Sequence, residues 1–235
     1  MFLFLKLFLA HLIADFILQF EELYRLKVRS LWGHIFHVLI HWGVSLVLVW
    51  PYLDLPGIWI FVTAATLVHL TQDFIKYTLT RKIPKNTFLY FMADQCVHVL
   101  VLGAILFFPV SREVRGFAGH SLWDTLYRDS AFTLFLIFFI LLTFAGSYTI
   151  HAFFRSYVKN TPPLYGITSF EMAYTLLERS IVGIVIVTAA HPLWILLTPL
   201  IGLFRLPFPN MRDRAAFLAS FIYACLLSLC FRGLF

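Results

Sequence analysis

Residues 57–79 read GIWIFVTAATLVHLTQDFIKYTL, a run long and apolar enough to cross a bilayer, yet His69 and Asp73 stand in it one helical turn apart. The same grammar returns in two more apolar stretches, as His11 and Asp15 near the N-terminus and as Asp94 and His98 further on. Residues four apart share a helix face, so three such pairs predict a polar cluster enclosed by lipid. An aspartate at the centre of a membrane helix costs about 2.5–3.5 kcal/mol, and three of them with Glu178 as a fourth acid represent on the order of 10 kcal/mol. A bound cation is one way to offset that cost.

Composition leads to the same class. The 235 residues are 61% hydrophobic and 13% charged, against about 45–50% and about 25% in soluble domains, which excludes an ordinary soluble fold. Cys96, Cys225 and Cys230 show no Cys-x-x-Cys spacing, so neither a disulfide framework nor a thiolate zinc site is expected. The net charge of +6 comes from basic loops and calls for no nucleic-acid partner.

Apolar stretches near 1–20, 33–50, 57–79, 87–109, 131–153, 171–190 and 214–235 predict membrane helices. Between the last two, residues 192–204 are apolar but short, and Pro192 and Pro199 break regular helix, which predicts a broken or re-entrant segment. The expected architecture is an all-α, polytopic transmembrane bundle of seven to eight segments forming one domain over 1–235, its polar core drawn from 1–100 and 171–179. Arg25, Lys27 and Arg29, then Arg81, Lys82 and Lys85, then Arg155 and Lys159, then Arg205, Arg212 and Arg214 mark the cytoplasmic loops, which places the N-terminus outside. No small-residue cleavage site follows the first span, so it is expected to stay as a helix. With this topology every ionisable residue of the set falls in the cytoplasmic half.

Histidine nitrogen with carboxylate oxygen, and no sulfur, suits zinc first and iron or manganese as alternatives. The candidate ligands are His11, Asp15, His37, His41, His69, Asp73, Asp94 and His98, enough for one or two ions. His34, His37 and His41 lie on one helix face, with His41 placed deeper than His34. Plainer readings stand beside these: each His/Asp pair can be a neutral hydrogen-bonded pair joining helices, Lys76 can be the ion-pair partner of Asp73 one turn away or a phosphate-binding cation, and Arg179 can pair with an acid or hold an anionic group. His120 and His191 read as incidental.

The runs His11-Leu-Ile-Ala-Asp-Phe-Ile-Leu-Gln19, then Lys27, His34 to His41, His69-Leu-Thr-Gln-Asp-Phe-Ile-Lys76 and Asp94-Gln-Cys-Val-His98 together resemble a prokaryotic integral-membrane family, domain of unknown function 3307. Leu177-Glu178-Arg179 is similar to a later element of that family. The resemblance implies a bacterial or archaeal cytoplasmic membrane and no particular activity. More loosely, the His-x-x-x-Asp spacing is similar to that of zinc-dependent phospholipase C and P1 nuclease-type hydrolases, an analogy that suggests phosphodiester cleavage.

The expected function is therefore a membrane-embedded, metal-dependent hydrolase acting on a lipid-linked or phosphate ester substrate at the cytoplasmic side. Glu178, Lys76, Arg179 and Gln19 are its candidate catalytic residues. A proton- or metal-ion-coupled transporter is the alternative, and a non-catalytic subunit that docks a partner protein is a third. Partners are expected to be membrane lipid or a lipid-linked substrate, with a homo-oligomer or a partner protein as further expectations.

Overall fold

The computed structural model describes residues 1–117, 119, 121–158, 169–188 and 214–234. These residues are helical, with no strand among them. Five of the helices are long and apolar enough to cross a membrane: Leu31–Leu48 (α3), Pro56–Lys82 (α4), Thr87–Gly103 (α5) with its short extension to Phe107, Ser130–Tyr157, and Ala215–Arg232. The expected short segment at 192–204, with its two prolines, lies outside the described residues, as do His120 and His191.

The first span departs from the expectation of one helix over 1–20. Helix α1 (Phe2–Leu12) runs on as a π turn, Ile13–Ile17, and the chain then bends by 84° into α2 (Glu21–Arg29), so that the pair counts as a sixth span only if taken together. The stretch read as a basic loop is thus a short helix. Glu21 and Glu22 stand in its first turn and Lys27 and Arg29 in its last, the order that complements the helix dipole, and Arg25 pairs with Glu21 across one turn. Leu23 and Lys27, four apart, form its buried face.

The chain divides into two compact units, Met1–Ile137 and Phe138–Phe235. In unit 1, α1 packs against α3 and α5 while α4 packs against the same two, closing a ring of four helices. The sequence pattern is turned inside out relative to a soluble bundle. On α4, Ile60 and Leu67 are 70% and 58% exposed whereas His69 and Asp73 are 3% and 2% exposed, as expected when lipid is the solvent for the outer face.

One end of the ring is closed by an apolar core of Phe2, Leu3, Leu7, Val49, Tyr52, Ile58, Val62, Leu102, Ile105 and Tyr127. Polar ties hold this end to its loops. The Tyr52 hydroxyl donates to Glu113 O at 2.7 Å, that of Tyr127 donates to Leu48 O at 2.7 Å, and burial raises both phenols above their ordinary pKa. Buried Lys6 donates to Tyr127 O at 2.5 Å and Thr133 Oγ1 at 2.7 Å. These connect α1 to α6 (Leu122–Arg128) and to the start of α7 (Ser130–Ile140).

At the other end, α2 lies against α3 at Gly33, where a Cβ would fall on the backbone of Leu26 and Lys27. Tyr77 of α4 ties the same helix by donating to Val28 O at 2.5 Å. Gly33→Ala must therefore push α2 away, and the expected result is a loss of about 1–3 kcal/mol in unfolding free energy, the usual cost of overpacking. A thermal-unfolding comparison in detergent checks it; an unchanged midpoint would mean that α2 is not held there.

Unit 2 holds α8 (Gly146–Tyr157), α9 (Ser169–Thr188) and α10 (Arg214–Arg232) about a core of Phe138, Leu142, Val182, Ile186 and Ala224. Arg179, 1% exposed, donates to Ser147 Oγ and to Thr175 O at 3.3 Å, and Glu178 is 3% exposed. Gly146 admits the guanidinium, since a Cβ there would meet Arg179 and Tyr223.

Candidate metal centre

Each helix of the ring brings one part of the cluster. The first contributes His11 and, in the π turn, Asp15. Such turns re-aim a side chain within a helix and are frequent at functional sites. His34, His37 and His41 come from α3, His69, Asp73 and Lys76 from α4, and Asp94, Gln95 and His98 from α5. All nine histidines and aspartates among these are between 1% and 7% exposed.

At the middle of the cluster three ligand atoms form a triangle. Asp15 Oδ1 lies 3.2 Å from His37 Nε2 and 3.5 Å from His69 Nε2, and the two nitrogens are 3.2 Å apart. A tetrahedral ion with bonds of about 2.0–2.1 Å holds its ligand atoms about 3.3–3.4 Å apart, the same spacing. Hydrogen bonding accounts for the triangle poorly. One imidazole proton serves one edge, and among the described residues Asp15 Oδ1 meets no donor in hydrogen-bond geometry. Around the triangle, ligand atoms of His11, Asp15, His41 and His69 all lie within 4.8 Å of one another. His11 Nδ1 and His41 Nε2 share a proton at 2.9 Å, which turns the Nε2 edge of His11 toward Asp15 Oδ2, 3.8 Å away, and Gln95 Oε1, 3.4 Å away.

A cavity of about 20 Å³ adjoins the cluster, lined by His11, His41, His69 and His98 together with Ser45, Thr66 and apolar residues including Leu7, Val62 and Leu102. It has room for one water.

Toward α2 the cluster becomes a network of ion pairs. Asp73 Oδ2 receives Lys27 Nζ at 2.7 Å and faces His34 Nδ1 at 3.1 Å, while its Oδ1 takes Lys76 Nζ at 3.0 Å. Lys76 also reaches Asp94 Oδ2 at 2.8 Å, and Lys27 donates to Gln19 Oε1 at 2.7 Å. Both oxygens of Asp73 are thus engaged by ammonium groups, which sets it apart from Asp15 among the predicted ligands. Lys76 is the open member of the network, its side chain 25% exposed.

Charge is unevenly met across these residues. Asp15, Asp73 and Asp94 carry three negative charges against two on Lys27 and Lys76, and both ammoniums sit on Asp73 and Asp94. Among the described residues, Asp15 has only histidines as its ion-pair partners. A carboxylate buried this way needs a positive partner, either a proton on an imidazole or a metal ion.

Of the residues singled out from sequence, the ring gathers His11, Asp15, His37, His41, His69, Asp73, Asp94, His98, Lys76 and Gln19; Glu178 and Arg179 belong to unit 2. Lys27 and Gln95, which stand in the runs that carry the family resemblance, are additions to the candidate site residues. The signal for Lys27 is its place one turn after Leu23, on the buried face of a short helix, beside its use as a topology marker and as part of the family resemblance. Gln95 has no signal beyond that resemblance and its position beside Asp94.

Comparison with curated proteins and with solved structures finds no match. A family model does match, over residues 3–118, a range that takes in α1 to α5 and every member of the cluster just described and ends before Glu178 and Arg179. Over those residues the chain belongs to the family described as "Protein of unknown function (DUF3307)".

Proposed function

We propose that the protein is a metal-dependent hydrolase embedded in a prokaryotic cytoplasmic membrane, with seven or eight segments and its N-terminus outside. The observation that carries this reading is the Asp15, His37, His69 triangle, whose spacing suits a divalent ion, beside a cavity with room for one water. A catalytic metal site keeps three protein ligands and a free position, and a divalent ion bound there would lower the pKa of water toward 7. The surrounding residues have their own tasks. Burial of the four histidines against Leu7, Val62 and Leu102 excludes bulk water, and Lys76 at the open edge of the network is placed to meet an anionic phosphate ester, lipid-linked or free. Zinc is the first choice of ion on this donor set, iron or manganese the alternatives.

Transport of the ion itself is the second reading, favoured by the small size of the cavity, about 20 Å³, which suits an ion or a water. Protein purified in detergent without added metal is expected to carry zinc or iron on plasma mass spectrometry and to turn over a phosphodiester such as bis-p-nitrophenyl phosphate or a phospholipid. Metal without turnover, together with metal flux in sealed vesicles, would replace the hydrolase by the transporter. Well-folded protein that neither carries nor takes up metal would end both.

A further inference from the structure

The two oxygens of Asp15 face different histidines. Oδ1 belongs to the triangle with His37 and His69, while Oδ2 points to His11 Nε2 at 3.8 Å. Beside the cluster stands a further pair: Asp94 Oδ1 and His98 Nε2 face each other at 3.2 Å, both fully buried, and neither has a partner in hydrogen-bond geometry among the described residues. The other oxygen of Asp94 is already taken by Lys76 and Gln95. His98 approaches the His11 ring to 4.9 Å between centroids and the His69 ring to 4.3 Å, so the pair adjoins the cluster.

His11 is held for the same purpose. Its Nδ1 is occupied by His41 at 2.9 Å, which fixes the ring and leaves Nε2 facing Gln95 Oε1 at 3.4 Å and Asp15 Oδ2 at 3.8 Å. A ligating histidine is oriented this way, by a partner on its other nitrogen.

We infer that the centre takes two divalent cations bridged by Asp15: one on Asp15 Oδ1, His37 and His69, the other on Asp15 Oδ2 and His11 with the Asp94–His98 pair. This rests on the metal-centre reading above and deepens it. A carboxylate bridging two ions about 3.5–4 Å apart is the arrangement that clamps the attacking and leaving oxygens of a phosphoryl group, and it points to phosphate esters as the substrate class. Charge supports the same class. Two divalent ions turn the single excess negative charge of Asp15, Asp73, Asp94, Lys27 and Lys76 into an excess positive one, which an anionic substrate would neutralise.

The test is a titration of the metal-stripped full chain with zinc, followed by plasma mass spectrometry after gel filtration. Wild type is expected to retain two ions per chain, and His37→Gln and His98→Gln to retain one each. Manganese-loaded wild type should give the electron paramagnetic resonance spectrum of an exchange-coupled pair, and each variant that of an isolated ion. Gel-filtration profiles identify any variant that fails to fold, and the wild-type stoichiometry and spectrum decide the matter without the variants. A single ion per wild-type chain with an uncoupled spectrum would overturn the bridge while leaving the metal centre standing; no ion at all would remove both.

Discussion

Asp73→Asn is expected to lower the stability of unit 1 by about 3–5 kcal/mol, the cost of leaving buried charge without its partner. Asp73 holds Lys27 at 2.7 Å and Lys76 at 3.0 Å while 2% exposed, and Lys27 is itself 7% exposed. The amide in the variant keeps the shape and loses the charge, so Lys27 is left with Gln19 as its remaining close acceptor. Lys76 retains Asp94, which makes Lys27 the larger part of the loss. A double-mutant cycle separates the two: adding Lys27→Met to Asp73→Asn should recover part of the stability, whereas Lys27→Met alone should lose it. Unfolding followed by circular dichroism in mixed detergent gives the numbers. The metal content of the folded fraction is expected to stay at the wild-type level, because both oxygens of Asp73 are engaged by ammonium. A stable Asp73→Asn protein that has lost its metal would reverse the assignment and make Asp73 a ligand.

That distinction marks how far the sequence could be read. Three His/Asp pairs at a spacing of four were enough to expect one enclosed cluster, because lipid leaves a helix only one direction in which to hide a carboxylate. The composition and the long apolar stretches carried the helical, membrane-like architecture, since each helix satisfies its own backbone and needs no distant partner to be recognised. What spacing cannot distinguish is which of two chemically alike pairs meets ammonium and which meets imidazole. His11/Asp15 and His69/Asp73 look the same along the chain. They differ because the 84° bend after Ile17 turns α2 back and delivers Lys27 to Asp73 and none to Asp15. A bend between two helices is written in few residues, and the π turn that re-aims Asp15 has no sequence signature in its Ile-Ala-Asp-Phe-Ile run. The span boundaries moved for the same reason: an apolar pattern ends where hydropathy ends, whereas the first helix ends where its hydrogen bonds change register.

Asp15→Asn is expected to change sign with metal. In the presence of chelator the variant should unfold at a higher temperature than wild type, because the substitution removes the one carboxylate of the cluster that no ammonium meets and replaces a buried unpaired charge by a neutral amide. With zinc in excess the order should invert. Binding to the folded state alone stabilises by about 4 kcal/mol at a free concentration a thousand times Kd, and wild type gains this while the variant, having lost the shared carboxylate, gains little. Crossing of the two unfolding midpoints between chelator and zinc is therefore the expected result. A structural role for Asp15, as a hydrogen-bonded partner of His37 and His69 joining α1 to its neighbours, makes a different forecast: the variant would be the less stable protein in both solutions, by the cost of leaving two buried imidazoles poorly satisfied. A proton on one imidazole in place of a metal makes a third, in which zinc leaves both proteins unmoved and the gap between them follows pH alone. Only a cation that requires the Asp15 carboxylate reverses the order.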